Sequence, residues 1–165
     1  MSTQSSLFPE PVEVQVHRLD AAIASLLFGG RGGPLNLRLA DDEKAVLEMI
    51  RYRRGAAKSI SLRDIQQRTK LDPRTIKQAV RTLRLNFRLP IGSSKNSESG
   101  GYYLMISAED RAIWRKDVLD QVRAQVDVLR AADGHQAALE ALGQLREELL
   151  SQTGIEQGAR NGAGA

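Results

Sequence analysis

The segment LDPRTIKQAVRTLRL, residues 71–85, constrains this chain more than any other. Asp72 is a residue type that caps helix N-termini. Pro73 suits a first turn, because its ring presets φ and its missing N–H would find no intrahelical acceptor there anyway. Together they predict a helix from Pro73 to about Leu85. Ile76, Ala79, Val80 and Leu83 share one stripe of that helix and require cover from a core. The opposite face carries Arg74, Lys77, Gln78, Arg81 and Arg84, with Thr75 beside them.

The cover lies immediately upstream. Ser61 with Asp64 three residues later resembles a capping arrangement, opening a helix over Leu62–Thr69 whose Leu62 and Ile65, with Leu71 beyond it, point inward. Only the short connection Lys70–Pro73 separates it from the next helix, as a helix-turn-helix requires. Further back, Asp41, Asp42 and Glu43 suit the positive end of a helix dipole, and Ala45, Val46, Met49 and Ile50 continue at helical spacing toward Gly55. Lys58–Ser61 reads as a brief extended piece.

Charge is strongly segregated. The net +4 conceals 12 basic and 2 acidic groups over residues 51–90, flanked by segments of net −3 on either side. A solvated basic helix on an ordinary helical protein is the plain alternative, but such helices interleave signs to gain support at i,i+4. Here no acidic side chain occurs between Asp72 and Glu98. A one-signed block points to a polyanion, nucleic acid before membrane. Arginine can bridge guanine O6/N7 and glutamine can pair with adenine N6/N7, which suits a helix lying in a major groove.

Beyond this helix, RLPIGSSKNSESGGYYLMI (residues 88–106) holds two runs of period two around a Gly/Ser/Asn-rich loop, and reads as a β-hairpin with one apolar face. Tyr102, Leu104 and Ile106 are expected to face the core, and Pro90 and Gly92 point to an edge strand. In the order helix, short strand, helix, helix, strand, strand, the chain resembles the winged-helix superfamily. RTIKQAVRTLRLNFRLPIGSSKNSESGGYYLMI is most similar to the biotin-repressor-type DNA-binding domain: RTI opens the recognition helix, LPI enters the wing and GYYL leaves it. The resemblance covers Asp41 to Ile106. It departs from the family in a longer wing tip, a 40-residue N-terminal extension and the lack of a ligase domain, so no enzyme activity is carried over. It implies that Arg74, Thr75, Lys77, Gln78 and Arg81, with Arg84 on the same face, meet the major groove. Ser93, Ser94, Lys95 and Asn96 would reach a phosphate backbone or minor groove, and their hydroxyl, amide and ammonium groups suit phosphate oxygens independently. A solvent-exposed tip that touches nothing is the alternative. The Arg51/Arg53/Arg54 group is expected to hold further phosphates.

The ends of the chain carry weaker signals. Residues 1–16 read as a mobile tail, and 17–34 as a short helix behind Arg18 with a Gly-rich hinge, where a phosphate cradle would need different glycine spacing. Leu35–Leu39 alternates like a short strand, opening a winged domain over 35–106. Residues 107–150 carry Val118, then Leu119, Val122, Val126 and Leu129 in an a/d rhythm, and past Gly134 a similar rhythm in Ala138, Leu142, Leu145 and Leu149. That surface exceeds what so small a domain needs for cover and points to a homodimer, with docking of these helices on the winged domain of the same chain as the alternative; Trp114 reads as core. Residues 151–165 read as a disordered tail.

The expected fold is therefore mainly α with a small β-hairpin, a winged helix-turn-helix followed by C-terminal helices. With no cysteine and with His17 and His135 isolated, neither a zinc site nor a cofactor is expected, and no acid/base constellation points to an enzyme. No apolar run suits a membrane span, and the N-terminus lacks a signal-peptide pattern, so a cytoplasmic protein is expected. The expected function is sequence-specific binding of double-stranded DNA, as a transcriptional regulator. The alternatives are a replication, partition or phage accessory factor, or a winged-helix scaffold that binds an acidic protein.

Overall fold

The computed structural model describes the backbone of residues 12–95 and 100–161, and the side chains except at 12, 14 and 152–161. The chain is mainly helical with one small antiparallel sheet, and divides into a unit ending at Asp117 and another beginning at Val118.

In the first unit, α1 (Val12–Leu27), α2 (Asp41–Ile50), α3 (Leu62–Thr69) and α4 (Pro73–Leu85) surround one core. Local capping chemistry sets the bounds of α3 and α4. The Asp64 N–H donates to Ser61 Oγ at 3.0 Å, and the Arg74 and Thr75 N–H groups donate to Asp72 Oδ1 at 2.9 and 3.1 Å. Lys70, left-handed at φ 61°, makes the tight turn between the two helices. Ile76, Ala79, Val80 and Leu83 are all buried and meet Val46, Leu47 and Ile50 of α2 and Ile65 of α3 in a single cluster.

The sheet pairs β1 (Ile91–Ser94) with β2 (Gly101–Leu104), in register Ile91 with Leu104 and Gly92 with Tyr103. β2 is bonded on its other side as well: Ile60 and Tyr102 exchange both backbone hydrogen bonds, at 2.9 and 2.8 Å, and the Leu104 N–H donates to Arg53 O. β1 is thus the outer strand, where Pro90 and Gly92 are tolerated. Gly101 is needed for the approach to Ile60, since a Cβ there would stand 2.0 Å from the Ile60 carbonyl oxygen.

Several sequence expectations need correction. α1 begins at Val12, so residues 12–16 belong to a helix; Glu13 sits in its first turn, and Ile23, Leu26 and Leu27 are buried in the common core. α2 ends at Ile50, short of Gly55, because residues 53–55 bond instead to β2, the Gly55 N–H donating to Leu104 O at 2.9 Å. Leu35–Leu39 is not a strand: a turn closed by Gly32 and Leu37 leaves Leu35 and Leu37 exposed, without a partner strand to bury them. The glycine-rich segment packs closely, and a Cβ on Gly33 would lie 1.8 Å from the Asn86 carbonyl oxygen.

The hairpin is buried on both faces rather than one. Leu104 faces the helical core, yet Tyr103 is also fully buried, while Tyr102 and Ile106 are only half-buried. Burial is the larger cause that pushes the Tyr103 pKa up, and Asp110 and Asp117, at the start of α5 (Ala108–Asn161), lie near enough to raise it further. Asp110, itself buried, accepts the N–H groups of Ile106 and Ser107, both at 3.1 Å, and of Ala56 at 3.3 Å, binding this helix start to the first unit. Residues through Asp117 therefore belong with the first unit, a later boundary than the one the sequence pattern places after Ile106.

The second unit is the remainder of α5, broken at Gly134 (φ 87°) as the sequence suggested. Within it Ala138 is buried and Val126, Leu129, Ala141 and Leu142 are half-buried. The helix continues to Asn161, so residues 151–161 are helical and not a disordered tail. Gln, Glu, Ala and Arg favour helix there, and the two glycines lower the propensity without stopping it as a proline would. The expectations for residues 1–11 and 162–165 lie outside the described residues.

Candidate nucleic-acid interface

The Asp72 cap and the buried stripe together fix which way α4 turns. With Ile76, Ala79, Val80 and Leu83 held in the core, Arg74, Lys77, Gln78 and Arg81 stand exposed on successive turns. Among the described residues none of these three cations is in an ion pair. Thr75 is half-buried, and its hydroxyl donates to Asp72 Oδ2, so the cap uses its proton and leaves only acceptor capacity toward a ligand. That hydroxyl bond, followed by the backbone bond from Thr75, holds the Asp72 carboxyl below the usual aspartate range.

Arg84 departs from the face assigned to it. It turns toward the hairpin base, where its Nε donates to the Ile91 carbonyl at 2.8 Å, and its guanidinium carbon lies 6.0 Å from the Tyr102 ring and 5.9 Å from that of Trp114. Burial pushes its pKa down from the ordinary arginine value. The hairpin then places Lys95 exposed and Ser93 and Ser94 half-buried, while Asn96 and the rest of the tip through Ser99 lie outside the described residues.

The Arg51/Arg53/Arg54 group is largely committed elsewhere. Arg54 makes a two-pronged bond to Asp20 of α1, at 2.6 and 2.7 Å, and Arg51 pairs with Glu48 at 2.9 Å while lying 4.4 Å from the Tyr52 ring centre. Arg54 therefore serves to seat α1 against the segment that follows α2. Cations that the residue-by-residue reading passed over are also exposed: Arg63 and Arg68 on α3, Lys70 in the turn and Arg88 at the hairpin entry, where φ is 53°. The charge count over residues 51–90 contained them, but periodicity along α4 alone could not bring them forward.

Among the described residues no three metal-ligating side chains come together, and no helix is long and apolar enough to cross a membrane. No protein-family model, curated protein or solved structure matches the chain. The chemistry on offer is a row of hydrogen-bonding cations, unpaired among the described residues, and one amide on a helix, flanked by a hairpin with hydroxyls and a lysine.

Proposed function

We propose that the chain is a sequence-specific double-stranded DNA-binding protein of the winged helix-turn-helix type, acting as a transcriptional regulator and without enzyme activity. α4 enters the major groove, and the β1–β2 hairpin, as the wing, meets the phosphate backbone or minor groove. One observation carries the reading: Arg74, Lys77, Gln78 and Arg81 project from a helix whose other face is fully buried, and the three cations have no carboxylate partner among the described residues. Unpaired cations on a fixed helix favour a polyanion and keep their donors free for base edges.

The second unit is proposed to pair two copies of the chain. Leu119 and Val122, and further on Leu145 and Leu149, are exposed at a/d spacing, and Val118 is exposed beside them. Sedimentation should show a dimer that Leu119→Glu with Val122→Glu dissociates; a wild-type monomer at high concentration would refute the pairing.

Selection from a random duplex library tests the DNA reading. The wild type should enrich a defined motif, and Arg81→Ala should lose about 1–3 kcal/mol of preference at one position of it. An unenriched library, or an Arg81→Ala variant with unchanged preference, would count against α4 as a reader.

A further inference from the structure

We propose that the cleft between the start of α3, the end of α4 and the loop-side ends of β1 and β2 is an anion site that takes a single phosphate group. Leu62, Arg84, Ser93, Ser94, Gly101 and Tyr102 line it, around a volume of about 300 Å³. That is room for a phosphate and part of the group it esterifies.

Arg84 supplies the attraction. Its Nε bond to Ile91 O fixes the guanidinium, and its Nη2 is sealed from solvent without an acceptor among the described residues. No carboxylate among the described residues pairs with it. Burial lowers its pKa, yet arginine stays charged because its ordinary value lies so far above neutrality. A half-buried cation with no counter-charge is costly, and the flanking rings of Tyr102 and Trp114 offset only part of that cost. An anion in the cleft would neutralise it. Ser93 on β1 brings a hydroxyl, a donor suited to a phosphate oxygen, and Ser94 stands beside it in the lining. The cleft would hold a phosphate whether or not α4 reads DNA. The phosphate would come from a DNA backbone or from a free phosphorylated molecule.

Titrating the full chain with inorganic phosphate, against chloride at equal ionic strength, tests the site by calorimetry and by emission of Trp114. This is the chain's single tryptophan, and its ring lies 5.9 Å from the Arg84 guanidinium carbon. A saturable response is expected, weakened about tenfold or more in Arg84→Gln. The same weakening is expected in Ser93→Ala/Ser94→Ala, which leaves the Arg84–Ile91 contact in place should Arg84→Gln fail to fold. If duplex DNA abolishes the phosphate response, the occupant is a backbone phosphate; if the two bind independently, it is a free phosphate ester. A phosphate response without any DNA binding would uphold the cleft and defeat the DNA reading alone. No saturable response by either measurement, or an undiminished response in the folded variants, would overturn the site.

Discussion

Replacing Gly92 with alanine probes how the hairpin is locked to the first unit. Gly92 pairs across the sheet with Tyr103, whose ring lies over it: an added Cβ would stand 2.5, 2.7 and 2.9 Å from the ring's Cζ, Cε2 and Oη. Ordinary contact begins at 3.4 Å, so the ring would have to retreat by about 0.9 Å. Tyr103 is fully buried. Forcing extra volume into so tight a site costs about 1–3 kcal/mol. Without the clash, alanine would instead stabilise the strand by about 0.5–1 kcal/mol relative to glycine, so the sign of the effect decides the matter. Urea unfolding followed through Trp114 should show a lower midpoint at unchanged slope. In a Tyr103→Leu background, which lacks the clashing atoms, the penalty should vanish, giving a coupling of at least about 1 kcal/mol. A stabilised Gly92→Ala, or an equal penalty in both backgrounds, would refute the reasoning.

Other expectations follow from the same geometry. Tyr103→Phe removes a buried hydroxyl that has no partner among the described residues, and should leave stability unchanged or raise it by up to about 1 kcal/mol in the same unfolding assay. Gly143→Ala lies in helix with nothing within 4 Å of the new methyl group, and should stabilise the second unit by about 0.5–1 kcal/mol, seen as slower amide exchange there. Asp72 titrates below the ordinary aspartate value because the folded chain favours its charged form. Its contribution is therefore present at neutral pH and is lost as pH falls through that lowered value. Proton-resolved titration should show this, with Thr75→Val moving the carboxyl back up.

The parts of the fold legible in the sequence are those set by neighbours in the chain. α3 and α4 begin where Ser61, Asp72 and Pro73 say they should, because a cap acts within three residues. The buried stripe of α4 follows from helical spacing for the same reason. What could not be read depends on contacts distant in sequence. Residues 53–55 leave α2 because β2 offers them hydrogen bonds, and nothing near Gly55 announces that strand. Tyr103 belongs to the polar phase of an alternating strand, yet it is buried, with Asp110 and Asp117 of the later α5 near it. Among the candidate site residues, Arg74, Lys77, Gln78 and Arg81 stand where helical periodicity puts them. Arg84 is one turn too late: it reaches Ile91 O, an acceptor whose position only the folded hairpin defines. Likewise Arg54 reads as a free cation until α1 brings Asp20 to it.

On the proposed DNA reading, the cations of α4 and the hairpin, unpaired among the described residues, grip DNA phosphates and bases. The most direct measurement is the affinity for one duplex site across a series of salt concentrations. The wild type should lose affinity steeply as salt rises, because each phosphate contact releases counterions. Lys95→Ala should lower the slope of log affinity against log salt by about 1. An affinity indifferent to salt, or no binding to duplex DNA at low salt, would contradict the claim.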